Sequence, residues 1–515
     1  MPIVLSVDRR ADGTKPVSEV VRRQDPKLSQ HHYSKLLPGN IRLLHLLPDE
    51  DDKAPIQCQL LEYALQKTGK RACLYEALSY CWGSSDKPYR AFIGERYLPI
   101  TSNLYAALLR LRDRFIGRVL WVDSICIDQE DTEERGQQVQ FMAEIYCKAN
   151  RVIVWLGEAE PGDHHASKEI VGAALASGDQ TTTPSDNESG HEAVSRLLAR
   201  PWFRRIWVLQ EVAAARNLRI MCGSTEVDGF AFHLGLEAYP GFQNPIRPVT
   251  YLMKNSISRP NYMIDSSGRV SLGIRPLSEL MDMYHTHEAS ERRDKVFALL
   301  GMSSDAPSAL QAAGLSPDYD VPWEEVLRRL VQFFLGGRVV VDTFPDREFS
   351  IIKAKSCLVG KVSSVNGQRV TTTSTTRRPT SQDPLAWSKK EWVSQPSPKA
   401  VQKGDLVCYI DGAATSLIIR PFTDYFSVIL VSVPALEELI IDSGPWRRNE
   451  DTTLRSLSDV LLVWTWESSE IHPLLNDYEF ELRYDDYLEG EERDALAKVA
   501  RIWNRCFAVS RCRSV

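Results

Sequence analysis

The sequence predicts an α/β protein: a mostly parallel sheet with flanking helices, then a helical extension, then a small C-terminal β domain of antiparallel strands. Three observations carry this. Short β-rich apolar runs alternate with amphipathic stretches between residues 41 and 158. Two of those runs, "VLWVDSICI" (119–127) and "RVIVWLG" (151–157), are almost continuously apolar, as strands covered on both faces are. Near the other end, "KGDLVCYIDGAATSLIIRPFTDYFSVILVSV" (403–433) reads as three strands separated by turn residues.

In chain order, residues 1–40 are polar and punctuated by proline, and are expected to be a mobile arm. Strands are predicted at "IRLLHLL" (41–47), "YEALSYCW" (75–82), 119–127 and 151–157. Between the last two, Asp131 is placed as an N-cap with Glu134 three residues on, and Val139, Met142, Ile145 and Tyr146 then fall on one helical face. Strand, helix, strand predicts a right-handed crossover to a parallel neighbour. The Gly/Pro/Ser/Thr-rich stretch 158–192 reads as an exposed insertion, followed by a helix from Glu192 to Pro201 and a second helix from there. "LRIMCGSTEVD" (218–228) reads as a strand and turn, which closes a domain spanning 41–235. Helical spacing returns in "LSELMDMYHTH", "RDKVFALLGM" and "PWEEVLRRLVQFFLGG", so 236–345 is assigned as a largely helical extension, with 240–275 irregular. The small β domain is assigned to 346–370 and 400–440, split by a disordered linker over 371–399. An acidic, helical segment is expected over 441–515.

A chain of 515 residues exceeds what one core usually serves, and 43% hydrophobic with 25% charged residues is an ordinary folded composition. A net charge of -6 gives no global attraction to nucleic acid or to an anionic membrane. The most apolar late run, "YFSVILVSVPALEELII", is interrupted by Pro434 and two glutamates, so no membrane span is expected, and the chain reads as soluble and cytoplasmic. Ten cysteines without a CxxC pair suggest reduced core thiols, and no Cys/His cluster has metal-ligand spacing. Without GxxxxGK[ST], GxGxxG, GxSxG or HExxH, the triphosphate, dinucleotide-dehydrogenase, hydrolase and metalloprotease readings all weaken.

One residue breaks the pattern. In "RIWVLQEVAAA" (205–215), Glu211 sits among Trp207, Val208, Leu209, Val212 and alanines. A carboxylate buried without a partner costs several kcal/mol or takes a proton. Two readings stay open: a structural pair with Arg204, Arg205, Arg135 or Gln138, or an acidic group at a reactive site.

Three blocks carry a family resemblance. "YEALSYCWGSSD" (75–86), "LWVDSICIDQEDTEERGQQVQFMAEIYCKANRVIVWLGE" (120–158) and "RPWFRRIWVLQEVAAARNLRIMCG" (200–223) resemble the signature blocks of the fungal heterokaryon incompatibility (HET) domain. "RRDKVFALLGM" (292–302) and "PDYD" (317–320) resemble segments that often follow that domain. Asp128 stands where the family more often has Asn before Gln129. Ser79, Gly83, Trp121, Gln129, Arg135, Gln138 and Arg204 are the motif residues the resemblance marks out. It implies a role in non-self recognition, with growth arrest and cell death when incompatible hyphae fuse, and the C-terminal part as the sensing side.

The HET domain is in turn remotely similar to TIR domains, which makes the predicted sheet TIR-like. Tyr75, Ser79 and Tyr80 take the place of the first TIR strand, and Trp207 and Glu211 match the tryptophan–glutamate spacing of a later motif. In TIR domains that cleave NAD, that glutamate is catalytic. The resemblance therefore implies Glu211 as catalytic group, with Tyr80, Trp82, Asp123 and Trp207 as substrate-binding candidates and NAD as substrate. No cofactor and no metal are expected. The competing expectation is an interaction module that signals by self-association, or with an incompatibility partner protein, without chemistry.

Overall fold

The computed structural model describes residues 29–65, 74–176, 188–239, 247–256, 263–264, 270–345, 347–374, 389–395, 397–422, 425–433 and 458–466. The chain divides into two compact units, the first made of residues 1–277, 287–307 and 316–320, the second of 278–286, 308–315 and 321–515.

The first unit is built on a ten-stranded sheet. Its strands are β1 (Ser29–Gln30), β2 (Asn40–Leu46), β3 (Ile56–Ala64), β4 (Glu76–Tyr80), β5 (Tyr89–Ile93), β6 (Arg96–Ile100), β7 (Arg118–Trp121), β8 (Arg151–Trp155), β9 (Leu218–Cys222) and β10 (Thr225–Asp228), in the order β1-β6-β5-β3-β2-β7-β4-β8-β9-β10. The run β7-β4-β8-β9 is parallel throughout. This is the 2-1-3-4 order of flavodoxin-type doubly wound sheets, in which the first strand lies between the second and third. Val152, Ile153 and Val154 of β8 and Ala77 and Leu78 of β4 are at most 1% exposed, so the apolar runs are those of strands covered on both faces.

The connections are α1 (Ser102–Leu111), α2 (Asp123–Cys126), α3 (Thr132–Lys148), α4 (Asp163–Ala176), α5 (Glu188–Leu198), a 3-10 turn (Pro201–Arg204), α6 (Trp207–Ala214), α7 (Gly229–Ala238) and α8 (Arg247–Ser256). A two-stranded ribbon follows, β11 (Met263–Ile264) with β12 (Val270–Ser271). In α3 the Asp131 carboxylate accepts from Glu134 N at 2.9 Å, and Val139, Met142, Ile145 and Tyr146 are buried. Glu134 does not reach back to its own cap. It accepts from Asp128 N at 2.8 Å and pairs with Arg42, so only half of the capping box forms.

Several boundaries differ from expectation. The strand predicted at 119–127 stops at Trp121, because Asp123 Oδ1 takes Ser124 N at 2.7 Å and Val122 O takes Ile125 N and Cys126 N, turning the chain into α2. The α3 crossover runs from β7 to β8 past β4, so it joins next-but-one strands and not neighbours. Within the expected mobile arm, β1 pairs with β6 and the Tyr33 hydroxyl donates to Ile125 O at 2.9 Å; residues 1–28 lie outside the described residues. Within the expected exposed insertion, α4 buries Ala166, Ile170 and Val171. Its close packing needs Gly235 on α7, where a Cβ would stand 1.9 Å from Ile170 O.

The second unit includes residues 278–284 of α9 (Leu277–Tyr284), residues 308–312 of α11 (Pro307–Ala312) and α12 (Trp323–Leu335), whereas α10 (Asp294–Leu300) belongs to the first. In α12, Trp323, Val326, Leu327, Leu330, Val331 and Phe334 form one buried stripe. The sheet of this unit comprises β13 (Val340–Thr343), β14 (Phe349–Asn366), β15 (Arg369–Ser374), β16 (Lys389–Val393), β17 (Leu406–Ile410), β18 (Ser416–Pro421), β19 (Phe426–Val433) and β20 (Ser458–Thr465). The long β14 pairs with both β17 and β20, so β14, β17, β18, β19 and β20 close into a ring. All its pairings are antiparallel except β19 with β20. Val362, Val370, Val407, Ile418 and Leu430 fill its core. From α9, the Asp282 carboxylate accepts from Val431 N at 3.0 Å, Ser432 N at 2.9 Å and Ser432 Oγ at 2.6 Å.

Two expectations here are corrected. The linker expected over 371–399 contains the end of β15 and all of β16, which pair as a hairpin. The segment expected to be acidic and helical over 441–515 contributes β20; its acidic stretch lies outside the described residues.

Candidate functional site

The parallel strands β4 and β7 end at one edge of the sheet, and the polar residues that follow them meet there. At the end of β4, Ser79 is fully buried. Its hydroxyl accepts from Trp202 Nε1 at 2.8 Å and donates to the Glu211 carboxylate. Glu211, two-thirds of the way along α6, is 2% exposed. The Tyr146 hydroxyl of α3 donates to Leu78 O at 3.1 Å and lies near the same carboxylate, where it helps to draw the pKa down. Next along, the Tyr80 hydroxyl and Ser124 Oγ are 2.6 Å apart. Asp123 opens α2 and accepts from Trp82 Nε1 at 2.8 Å, while Gln129 Nε2 donates to its carbonyl at 3.0 Å. Arg205 closes the group by donating from Nη1 to Tyr80 O. Trp82 and the Gly83 turn, with φ 76°, lie at the exposed rim.

The electrostatics follow from this burial. Desolvation pushes Glu211 up to about 7, against the pull of the Arg205 cation and the Ser79 hydrogen bond. Asp123 is also raised by desolvation, with Arg205, Trp82 and Ser124 drawing it back. Desolvation lowers the Arg205 pKa, but Glu211 and Asp123 outweigh it and hold the guanidinium charged. Two acids and one fixed cation thus share one poorly hydrated site, and a carboxyl poised near neutrality is able to hold a proton or a charge there. Among the described residues, no lysine, arginine or histidine forms an ion pair with Glu211.

The structure therefore gathers Ser79, Tyr80, Trp82, Asp123, Gln129 and Glu211 as a group. It does not gather the rest. Trp207, expected beside a bound nicotinamide, lies beside the Asp294 carboxyl instead. Trp121 is a fully buried core residue packed edge-on to Tyr146 at 5.4 Å. Nor do the residues considered as ion partners of Glu211 reach it. Arg135 lies over the Tyr319 ring at 3.8 Å, Gln138 donates to Asn40 O at 3.0 Å, and Arg204 is exposed, 3.8 Å from Glu288. Tyr146 reads in the sequence only as an apolar-face position of α3 and Trp202 is no candidate there, because their polar ends matter only once Ser79 and Glu211 are adjacent.

Among the described residues, no group of three or more His, Cys, Asp or Glu side chains is placed to hold a metal ion, and no disulfide joins the cysteines. Among them too, no helix is long and apolar enough to cross a membrane.

Residues 75–211 match the family described as "Heterokaryon incompatibility protein (HET)". Over these residues the chain is similar to HET domains. Heterokaryon incompatibility protein 6, OR allele, of Neurospora crassa is 26% identical over 306 residues, a match covering 48% of this chain and 44% of that protein. The chain thus spans less than half the length of this curated relative. No solved structure matches. The HET match opens just before β4 and closes on Glu211 itself, so Ser79, Asp123, Tyr146, Trp202 and Arg205 all fall within the matched stretch.

Proposed function

We propose that this HET-domain protein acts in fungal vegetative incompatibility as a cell-death effector, and that its HET domain does so by cleaving NAD at the nicotinamide–ribose bond with Glu211 as the reacting carboxylate. The observation that supports this best is the state of Glu211: buried, poised at about 7, hydrogen-bonded by Ser79, and without an ion pair among the described residues. A carboxylate saturated by an arginine is poorly placed to meet a new cation, and Glu211 is not saturated in that way. The position supports it too. In doubly wound sheets, ligands bind beyond the carboxyl ends of the strands where the order reverses, and β4 stands at that reversal.

The chemistry needs one anion. The C1′–N bond breaks with its electron pair on nicotinamide, which leaves neutral from an already cationic linkage, so no acid has to protonate it. The oxocarbenium ion left on the ribose is stabilised by ionised Glu211. Water then adds to C1′ and loses a proton, giving ADP-ribose. In this reading Asp123 and Trp82, joined at 2.8 Å, orient the substrate, with Tyr80 close enough to both Asp123 and Glu211 to feel their charge. No cofactor takes part.

One observation favours a second reading. At 2% exposure, Glu211 meets a substrate only if the rim around Trp82 and Arg205 moves, whereas a module that signals by self-association or by binding an incompatibility partner needs no such opening. The full-length protein and its Glu211→Gln variant decide between them. Under the enzymatic reading, purified wild type releases nicotinamide from NAD, the variant loses at least about 100-fold of that rate, and killing in fungal cells is lost with it. A folded Glu211→Gln protein that still kills, with NAD levels unchanged, supports the module and overturns the chemistry.

A further inference from the structure

The segment that follows the HET match returns to the helix carrying Glu211. Ile206 N donates to Glu288 O at 2.9 Å and Glu288 N donates to Arg204 O at 2.7 Å, a backbone bridge at the start of α6. Six residues on, Asp294 opens α10 with its carboxyl beside Trp207, the first residue of α6. The Tyr319 hydroxyl, from "PDYD", donates to Asp294 Oδ1 at 2.7 Å. Arg135 of α3 covers the Tyr319 ring at 3.8 Å, and Phe297 meets it edge-on at 5.5 Å. Arg293 binds Tyr319 O and is fixed by Glu291 through two contacts of 2.9 Å. At the end of α10, a Cβ on Gly301 would fall 1.7 Å from Gln210 Nε2, so this glycine lets α10 close onto α6 beside Glu211. The two sequence segments that the site chemistry leaves unused, "RRDKVFALLGM" and "PDYD", thus converge on one end of α6.

We propose that Asp294 is a positioning residue: with Tyr319 behind it, it holds Trp207, and through Trp207 the register and tilt of α6 that place Glu211 against Ser79. Trp207 and Glu211 are four residues apart and share a helix face, so a shift at one end of this eight-residue helix is carried to the carboxylate. The burial of Asp294 raises its pKa, which the hydrogen bond from Tyr319 and the nearby Trp207 oppose. The functional unit therefore extends beyond the family match to residue 320. As a claim about catalysis it rests on the reading of Glu211 as the reacting carboxylate; as a claim about the helix it does not.

The test is a double-mutant cycle on the full-length protein: Asp294→Asn, Trp207→Phe and both together, followed by NAD turnover and by hydrogen exchange of the α6 amides. A misplacement of a reacting group costs up to about 100-fold, so each single variant is expected to lower kcat about 10-fold or more with KM within about 2-fold. The double variant is expected to be no worse than the poorer single, and exchange over 207–214 to quicken in the same non-additive way. Val407→Ala in the second unit serves as a control that lowers melting temperature without changing kcat. Additive effects, or unchanged exchange in α6, overturn the clamp. If wild type consumes no NAD but α6 exchange is coupled as described, the clamp stands and the catalytic reading falls. Should Asp294→Asn not fold, Tyr319→Phe, which deletes only the 2.7 Å donor, takes its place in the cycle.

Discussion

Glu211 is a proton-binding residue as much as a candidate reacting one, and its burial makes a thermodynamic statement. Its folded pKa of about 7 lies above the ordinary 4.5, so the folded state binds the proton more tightly than the unfolded chain. Stability contributed by the neutral form is fully present below about pH 4.5 and is lost as pH rises through 7. That gap is worth about 3 kcal/mol. Glu211→Gln is therefore expected to match wild-type stability near pH 4.5 and to exceed it by up to about 3 kcal/mol at pH 8, read from urea unfolding at the two pH values. A buried ion pair gives the opposite sign, because its loss strands a cation. At this scale the sequence already exposed Glu211 as an anomaly among apolar neighbours, but it left Arg205 and Arg135 equally eligible as partners. Whether a guanidinium points at a carboxylate or at a carbonyl such as Tyr80 O is decided by contacts more than a hundred residues away along the chain.

Among the elements, α3 was the most legible, since a cap, a 3.6-residue period and an apolar strand on either side all agree. Helix α4 was the least. Its flanks are rich in Gly, Pro and acid, and its core face is made largely of alanine, a weak hydrophobic signal that becomes burial only because α7 presents a glycine. Gly235→Ala tests that packing. With a Cβ at 1.9 Å from a backbone oxygen, the helices must part, and a loss of about 1–3 kcal/mol with faster hydrogen exchange in α4 is expected. A neutral substitution shows that α4 is not seated there. The hairpin of β15 and β16 was missed because "TTTS" reads as low complexity, although threonine's branched Cβ suits a strand once a partner is supplied.

Across the whole chain, closure of the second unit depends on a strand far from the others in sequence. β20 pairs with β14 over eight residues, Phe349 with Thr465 through Ser356 with Ser458, and Leu462 within it is fully buried. Leu462→Ala should cost about 2–5 kcal/mol and expose β14 to exchange. A loss below about 1 kcal/mol rules out β20 as the closing strand. Each unit carries its own core, yet their boundaries interleave along the chain, which no composition shift announces.

What the sequence by itself determined is local and periodic: the strands of β4, β7 and β8, the α3 helix with its Asp131 cap, the three β17–β19 strands, the HET-type blocks, and one acid in an apolar helix. Those features are encoded by neighbours within a few residues, through hydrogen-bond competition, side-chain period and capping. Only the tertiary structure decided that β4 lies between β7 and β8, that Ser79 and Tyr146 face Glu211, that Trp207 turns away to Asp294, and that β20 closes the second unit. Each of these is a choice among chemically equivalent donors, acceptors and strand edges, and a sequence names the eligible partners while long-range packing selects one.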